Sequence, residues 1–335
     1  MSDALLTARA VDVSPLADAQ RLVAPALQLV ERQIEQSTSS AVQLVPEVAR
    51  HLVDSGGKRI RPTLSLLVCR LAGGHAEDDV ELAAATELFH NASLLHDDVV
   101  DRGHVRRGVP AAPRVYGNSA SVLVGDFLMA RALKLVVEHG SRHLLEHLCS
   151  TITSMAEGEV LQLVRSGRMT LNMPGYEQII SGKTAGLFSW CCRAGACQAG
   201  AKESQVEAAA RLGKFFGMAF QVTDDVLDYT SGPERSGKDL ANDLQQGKVT
   251  LPLLFACERD SSLFECVEEL ARGEPGPEQC LHIVERVIAS DAIDRSMEMA
   301  RDFCGKVSEE LGSFAGGPES EVIERLTAHL LERVS

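Results

Sequence analysis

The chain has 335 residues, 45% of them hydrophobic and 24% charged, and a formal net charge of −14 at pH 7. This is globular composition, neither disordered nor fibrous, and the acidic balance argues against a nucleic-acid binder, which needs a basic footprint along phosphates. No segment reads as a linker between two cores, so residues 1–335 are expected to form a single large domain.

Apolar residues recur at three- and four-residue spacing and sustained period-2 alternation is nearly absent, so the expected fold class is all-α. Glycine and proline punctuation places helices at about 17–36, 42–54, 62–72, 78–101, 118–138, 142–166, 175–198, 203–229, 250–271, 277–290, 291–312 and 319–333. Ahead of the third lies Gly56-Gly57-Lys58-Arg59-Ile60-Arg61-Pro62, a loop entering a helix, with proline suited to the first turn. Its glycines permit close backbone approach, and Lys58 and Arg61 offer point-charge and forked contacts to phosphate. A solvated basic loop has the same composition.

The helix over 78–101 carries Leu82, Ala83, Ala84, Ala85, Leu88, Phe89, Leu94 and Leu95, apolar almost all round, which marks a buried central helix. It ends in His96-Asp97-Asp98-Val99-Val100-Asp101. Residues four apart share a helix face, so Asp97 and Asp101 aim two carboxylates the same way. At 100° per residue His90 lies about 20° from Asp97 and Asp101 about 40° from it, so His90 looks into the same space; a lone histidine on an apolar helix is more often a core residue. The loop that leaves the cluster holds Arg106 and Arg107.

Lys183 and Thr184 fall within the expected helix 175–198, and the helix over 203–229 repeats the aspartate pattern as Asp224-Asp225-Val226-Leu227-Asp228, with Gln221 one turn earlier. A further loop carries Lys238 and Lys248. Gathering carboxylates costs energy through like-charge repulsion, and a divalent ion removes that cost. Mg²⁺ is typically held by one or two carboxylates together with substrate phosphates, so two such clusters point to a polyphosphate between them. A single D-D-x-x-D is equally a solvated acidic face; here the flanks Ala92-Ser93-Leu94-Leu95 and Met218-Ala219-Phe220-Gln221 are too apolar for one. Nine cysteines without a C-x-x-C pair make zinc and a disulfide framework poor expectations. The opening residues lack a basic segment followed by an apolar run, and no stretch reaches about 18 apolar residues, so a cytoplasmic protein without stable membrane insertion is expected.

In order along the chain, Gly-Gly-Lys58-Arg59-Ile-Arg61-Pro, Leu-Leu-His96-Asp97-Asp98-Val-Val-Asp101, Arg106-Arg107-Gly-Val-Pro, Gly125-Asp126, Lys183-Thr184, Phe220-Gln221-Val-Thr-Asp224-Asp225-Val-Leu-Asp228-Tyr229 and the stretch from Gly237 to Pro252 resemble the trans-polyprenyl diphosphate synthases. The likeness runs from about residue 45 to 255; beyond it the chain matches only in being helical, and Ala241 stands where many relatives have glycine. The resemblance implies a helical bundle of the isoprenoid synthase type with a central cavity. It also implies a prenyltransferase that condenses isopentenyl diphosphate with geranyl, farnesyl or geranylgeranyl diphosphate. By the same resemblance three Mg²⁺ ions are held by Asp97, Asp101 and Asp224, with Asp98, Asp225 and Asp228 in support. Isopentenyl diphosphate falls to Lys58, Arg61, His90 and Arg107. The allylic diphosphate falls to Arg106, Lys183, Lys238 and Lys248. Thr184 and Gln221 stabilise the allylic cation, and the assembly is a homodimer.

Ala92 and Ser93 are small where short-chain relatives commonly carry an aromatic, and Phe89 lies eight residues before Asp97, roughly 12 Å deeper at 1.5 Å per residue. Phe89 is either a second floor to the cavity or plain core packing. A long-chain product is therefore expected, with a farnesyl or geranylgeranyl product as the alternative. A class I terpene cyclase, a metal-dependent phosphohydrolase and a non-catalytic subunit of a larger synthase are the rival readings. Consumption of isopentenyl diphosphate separates them from a synthase.

Overall fold

The computed structural model describes residues 14–165, 172–230, 242–272 and 277–334. Helices α1 (Pro15–Leu22) and α2 (Ala24–Ser37) replace the single helix expected over 17–36. Pro25 stands in the first turn of α2, where its missing N–H costs nothing; inside a continuous helix its ring would clash with the preceding turn. Then come α3 (Leu44–Asp54), α4 (Ile60–Leu71) and α5 (Val80–Val100). Every residue of α5 from Leu82 to Phe89 is buried, so two full turns have neighbours on all sides. These are α2, α4, α7 (Asn118–His139) and α10 (Gly186–Gln198). Glu87 in that run is neutralised by Arg59 at 2.9 Å, whose Nε also meets Glu31 at 2.6 Å; unpaired, a carboxylate so buried would cost on the order of several kcal/mol.

Asp79, fully buried just before α5, meets Ser65 of α4 beside α10: the Ser65 Oγ lies 2.6 Å from Asp79 Oδ2 and 2.8 Å from the Cys191 carbonyl oxygen. At the other end of α5, His96 belongs to the packing and not to the pocket. Its Nε2 faces the Val122 carbonyl at 3.2 Å and Asp126 at 3.4 Å on α7. Any β-carbon on Gly125 would run into that imidazole, so glycine is what allows α5 and α7 to approach there.

Between α5 and α6 (Ala112–Tyr116), expected only as loop, Val105–Arg106 pairs antiparallel with Val109–Pro110. The two turn residues, Arg107 and Gly108, have φ of 51° and 80°, the left-handed pair that a type I′ hairpin requires. Beyond α8 (Arg142–Arg165) the helix expected over 175–198 is interrupted: α9 (Met173–Ile180) and α10 are joined by a π turn, Ser181–Ala185. A π turn carries an extra residue and is common at functional sites.

Helix α11 (Glu203–Thr230) packs on α10 and on α16 (Ala292–Leu311). At Gly213 a β-carbon would strike the Phe188 carbonyl and lie 2.7 Å from Cys192 Sγ; the α10–α11 crossing is therefore backbone against backbone. The short α12 (Asn242–Gln245) precedes α13 (Leu251–Arg259) and α14 (Ser261–Arg272). The latter two were expected as one helix over 250–271. They are divided at Asp260, whose Oδ1 accepts the Ser262 N–H at 3.1 Å and starts the second helix afresh. Helices α15 (Pro277–Ala289), α16 and α17 (Pro318–Glu332) follow, and α17 packs against α1, α4 and α11. The architecture is all-α, as the apolar spacing implies. Among the described residues no helix is long and apolar enough to cross a membrane.

Candidate active site

The C-terminal end of α5 forms one wall. Asp101 caps the helix and Asp97 sits one turn earlier. Burial lifts the Asp97 carboxyl to about 6; Lys183 works against the rise, while Glu159 and Asp101 add to it. Lys183 reaches across from the π turn to Glu159 at 2.6 Å. Burial disfavours its charge, but Glu159 and then Asp97 outweigh that and raise it. Asp98 turns the other way. It is buried, and its Oδ1 accepts Arg106 Nε and Nη2 at 2.9 and 2.6 Å, so the middle aspartate anchors the hairpin and occupies Arg106.

The C-terminal turns of α11 form the facing wall. Asp224 is exposed and lies 3.5 Å from Arg333 Nη2, whose guanidinium sits over the Phe220 ring at 5.4 Å. Asp225 is buried, accepting the Tyr176 hydroxyl at 2.7 Å and Gln221 Nε2 at 2.8 Å. Burial, with Asp243 next, lifts its carboxyl to about 7, against the pull of those two hydrogen bonds. Asp228 Oδ2 accepts the Asp243 N–H at 3.1 Å. Lys248 reaches the first wall, its Nζ 2.8 Å from Asp101 Oδ2, and lies 3.9 Å from Asp243 Oδ1 of α12.

A cationic basin lies beside them. His90 is held well below the usual histidine range by burial, then by Arg61 and Arg107, so it is neutral at pH 7 and able to donate from one ring nitrogen. Arg61 stacks over Phe188 at 4.3 Å, and its buried Nε has no hydrogen-bond partner among the described residues, which leaves that donor for an anion. A β-carbon on Gly57 would crowd Arg107 Nη1 at 3.2 Å. Burial, and then Arg333, hold the Lys58 ammonium below the usual lysine range against the pull of Asp224.

Of the residues expected to govern product length, Ala92 and Phe89 are buried in the core, while Ser93 is half-buried with its hydroxyl donating to the His90 carbonyl at 2.9 Å. Lys238 lies outside the described residues. Sequence reasoning passed over Glu159, Tyr176 and Arg333, single residues without a motif around them. Tyr176 is one of three tyrosines, and its neighbours Glu177 and Gln178 give no sign that it is buried.

Asp97, Asp101, Asp224 and Asp228 present carboxylate oxygens alone, the donor set of a hard divalent cation. Among the described residues no three His, Cys, Asp or Glu side chains converge into a closed cage. The donors come in pairs, which fits an ion whose other positions go to water and substrate phosphate.

The polyprenyl synthetase family model matches residues 42–287. The octaprenyl diphosphate synthase of Haemophilus influenzae is 36% identical over 295 residues, 87% of this chain and 90% of that one. Heptaprenyl diphosphate synthase component 2 of Geobacillus stearothermophilus is 36% identical over 286 residues, 84% of this chain and 87% of the relative. A polyprenyl synthase from Caulobacter crescentus, crystallised with calcium and isoprenyl diphosphate, superposes with a TM-score of 0.91 at 39% identity, covering 96% of this chain and 98% of that one. Sequence likeness, fold and paired carboxylate walls converge: the chain belongs to the polyprenyl synthetase family and is a prenyltransferase.

Proposed function

We propose that this prenyltransferase extends geranyl, farnesyl or geranylgeranyl diphosphate with isopentenyl diphosphate to a long all-trans chain, on the order of six isoprene units or more. The observation that carries it is the pair of carboxylate walls, with Lys248 meeting Asp101 at 2.8 Å and small, half-buried Ser93 one turn before Asp97. An aromatic there would close the cavity early. The octaprenyl and heptaprenyl names of two relatives lend support. The family's chemistry uses a divalent cation and isoprenyl diphosphates.

Mg²⁺, as three ions on Asp97, Asp101, Asp224 and the phosphates, would stabilise the departing diphosphate's charge. Lys183 and Lys248 hold the allylic diphosphate, a role that Lys238 shares by resemblance; Arg106 serves indirectly by fixing Asp98. Lys58, Arg61 and Arg107 grip isopentenyl diphosphate, with neutral His90 donating a hydrogen bond. Thr184 and Gln221 turn dipoles toward the allylic cation without offering a nucleophile. The apolar surround of α5 excludes the water that would trap that cation. Attack by the isopentenyl double bond leaves a tertiary cation, and the released diphosphate takes from the adjacent carbon the proton whose loss forms the new double bond.

Residues 1–335 act in this reading as one domain in a homodimer, and nine free thiols, five of them buried, support a reducing cytoplasmic setting. The relative named component 2 favours a second reading in which a different chain completes the enzyme. Farnesyl diphosphate and labelled isopentenyl diphosphate with Mg²⁺ form the test. Products longer than geranylgeranyl diphosphate are expected, and arrest at farnesyl or geranylgeranyl diphosphate overturns the long-chain reading. Asp97→Ala and Asp224→Ala should each abolish incorporation while the circular dichroism spectrum stays unchanged; activity in either sinks the metal assignment. Sedimentation of the active species separates the two assemblies.

A further inference from the structure

The second aspartate cluster contains a buried hydrogen-bond relay that none of its metal-facing members needs. The Thr184 hydroxyl donates to Gln221 Oε1 at 2.7 Å, Gln221 Nε2 donates to Asp225 Oδ1 at 2.8 Å, and the Tyr176 hydroxyl donates to Asp225 Oδ2 at 2.7 Å. Tyr176 is 2% exposed and Asp225 is buried. Tyr176, Thr184, Gln221 and Asp225 also line one cleft with Lys183 and Lys248.

A glutamine amide has a negative end and a positive end of nearly the same shape, and its neighbours decide which end points where. Asp225 Oδ1 accepts and so claims the NH₂. It accepts whether or not Oδ2 carries a proton, so the orientation does not depend on titration. The carbonyl end is thereby left to Thr184 and the cleft. A cation forming there meets lone pairs; with the amide reversed it would meet N–H groups, and the dipole would oppose it. Asp225 itself is held by Tyr176, since its other neighbour, the Leu251 N–H, lies at 3.5 Å.

We propose that Tyr176 is a positioning residue: through Asp225 it sets the amide of Gln221 with its oxygen toward the developing allylic cation. This rests on the prenyl-transfer reading above. It gives the middle aspartates separate work, Asp98 fixing the hairpin and Asp225 fixing a dipole, while the outer aspartates face the metal.

Steady-state kinetics on Tyr176→Phe, alone and combined with Gln221→Met, tests it. Tyr176→Phe keeps the ring and removes the donor; kcat should fall about tenfold or more, as for other residues that orient a reacting group, with KM for both substrates held within about twofold. In the Gln221→Met background the same change should alter kcat by less than about twofold, because the group through which it acts is gone. An equal fall in both backgrounds, an unchanged kcat, or a rise in KM alone overturns the inference. If Tyr176→Phe fails to fold, Asp225→Asn serves: its amide can donate to Gln221 and release the flip, and kcat must fall at constant KM. No condensation by the wild-type enzyme would overturn the function itself; normal condensation with an indifferent Tyr176→Phe overturns only the positioning role.

Discussion

One hydroxyl hydrogen decides the state of Asp79. Ser65 Oγ lies within hydrogen-bond distance of both a carboxyl oxygen of Asp79 and the Cys191 carbonyl, and it can donate to only one. The carbonyl has no hydrogen to give, so the carboxyl supplies the second one, and Asp79 is an acid. Burial lifts it to about 8, against roughly 4 in an unfolded chain. The folded state keeps a proton that the unfolded state releases, so this group's stabilisation is intact below about pH 4 and is lost as pH rises toward 8. Asp79→Asn replaces the acidic O–H with an amide N–H that can still donate to Ser65. It should raise Tm at pH 8 by about 2 °C or more, on the order of 1 kcal/mol, and leave Tm at pH 4 nearly unchanged; an equal shift at both pH values would refute a protonated Asp79. At the pocket, Ser93→Tyr should shift products toward farnesyl and geranylgeranyl diphosphate with kcat for the first addition largely kept. Chain-length profiling reads this directly, and an unaltered profile would show that the tail descends elsewhere. The outer aspartates were legible because helical period and apolar flanks confine what they can do. Tyr176, Glu159 and Arg333 were not, since each acts through a partner 24 to 109 positions away, as with Glu159 to Lys183 and Asp224 to Arg333, and no local pattern encodes such a pair.

At the scale of elements, the sequence reveals helices better than it reveals their interruptions. The breaks at Pro25 and Asp260 have local signals, a proline and a capping side chain, that were outweighed by continuous apolar spacing across them. The hairpin at Arg107-Gly108 had a signal in its glycine alone. The π turn had none: Gly182 faces the Ser154 carbonyl of α8, a constraint that exists only after α8 and α10 have packed. Packing also makes glycine necessary where α10 crosses α11. Gly213→Val should cost about 1–3 kcal/mol by forcing the helices apart, measurable by chemical denaturation. Because α11 carries Asp224 and Asp228, kcat should fall with it in the fraction that remains folded. A variant that loses no stability would show that the crossing has room the backbone does not display.

Over the whole molecule, a net charge of −14 coexists with a pocket furnished with cations, and a ligand held between α5 and α11, as proposed, would tie distant parts of the chain together. A ligand confined to the folded state adds about 2.7 kcal/mol at a hundred times its dissociation constant. Mg²⁺ with a diphosphate should therefore raise Tm, and Asp97→Ala or Asp224→Ala should remove the gain. With Asp97 near 6 in the metal-free protein, protons compete with the ion below that pH, so the gain should shrink from pH 7 to pH 5. Calorimetric scans with and without the ion check this, and a gain independent of pH would exclude Asp97 as a ligand. Lys248 on Asp101 and Arg333 by Asp224 mean that the resting pocket already carries counter-charges on its own carboxylates. If divalent ions load there as proposed, loading would be an ion exchange: Lys248 and Arg333 would give up Asp101 and Asp224 and be freed to clasp the incoming phosphate.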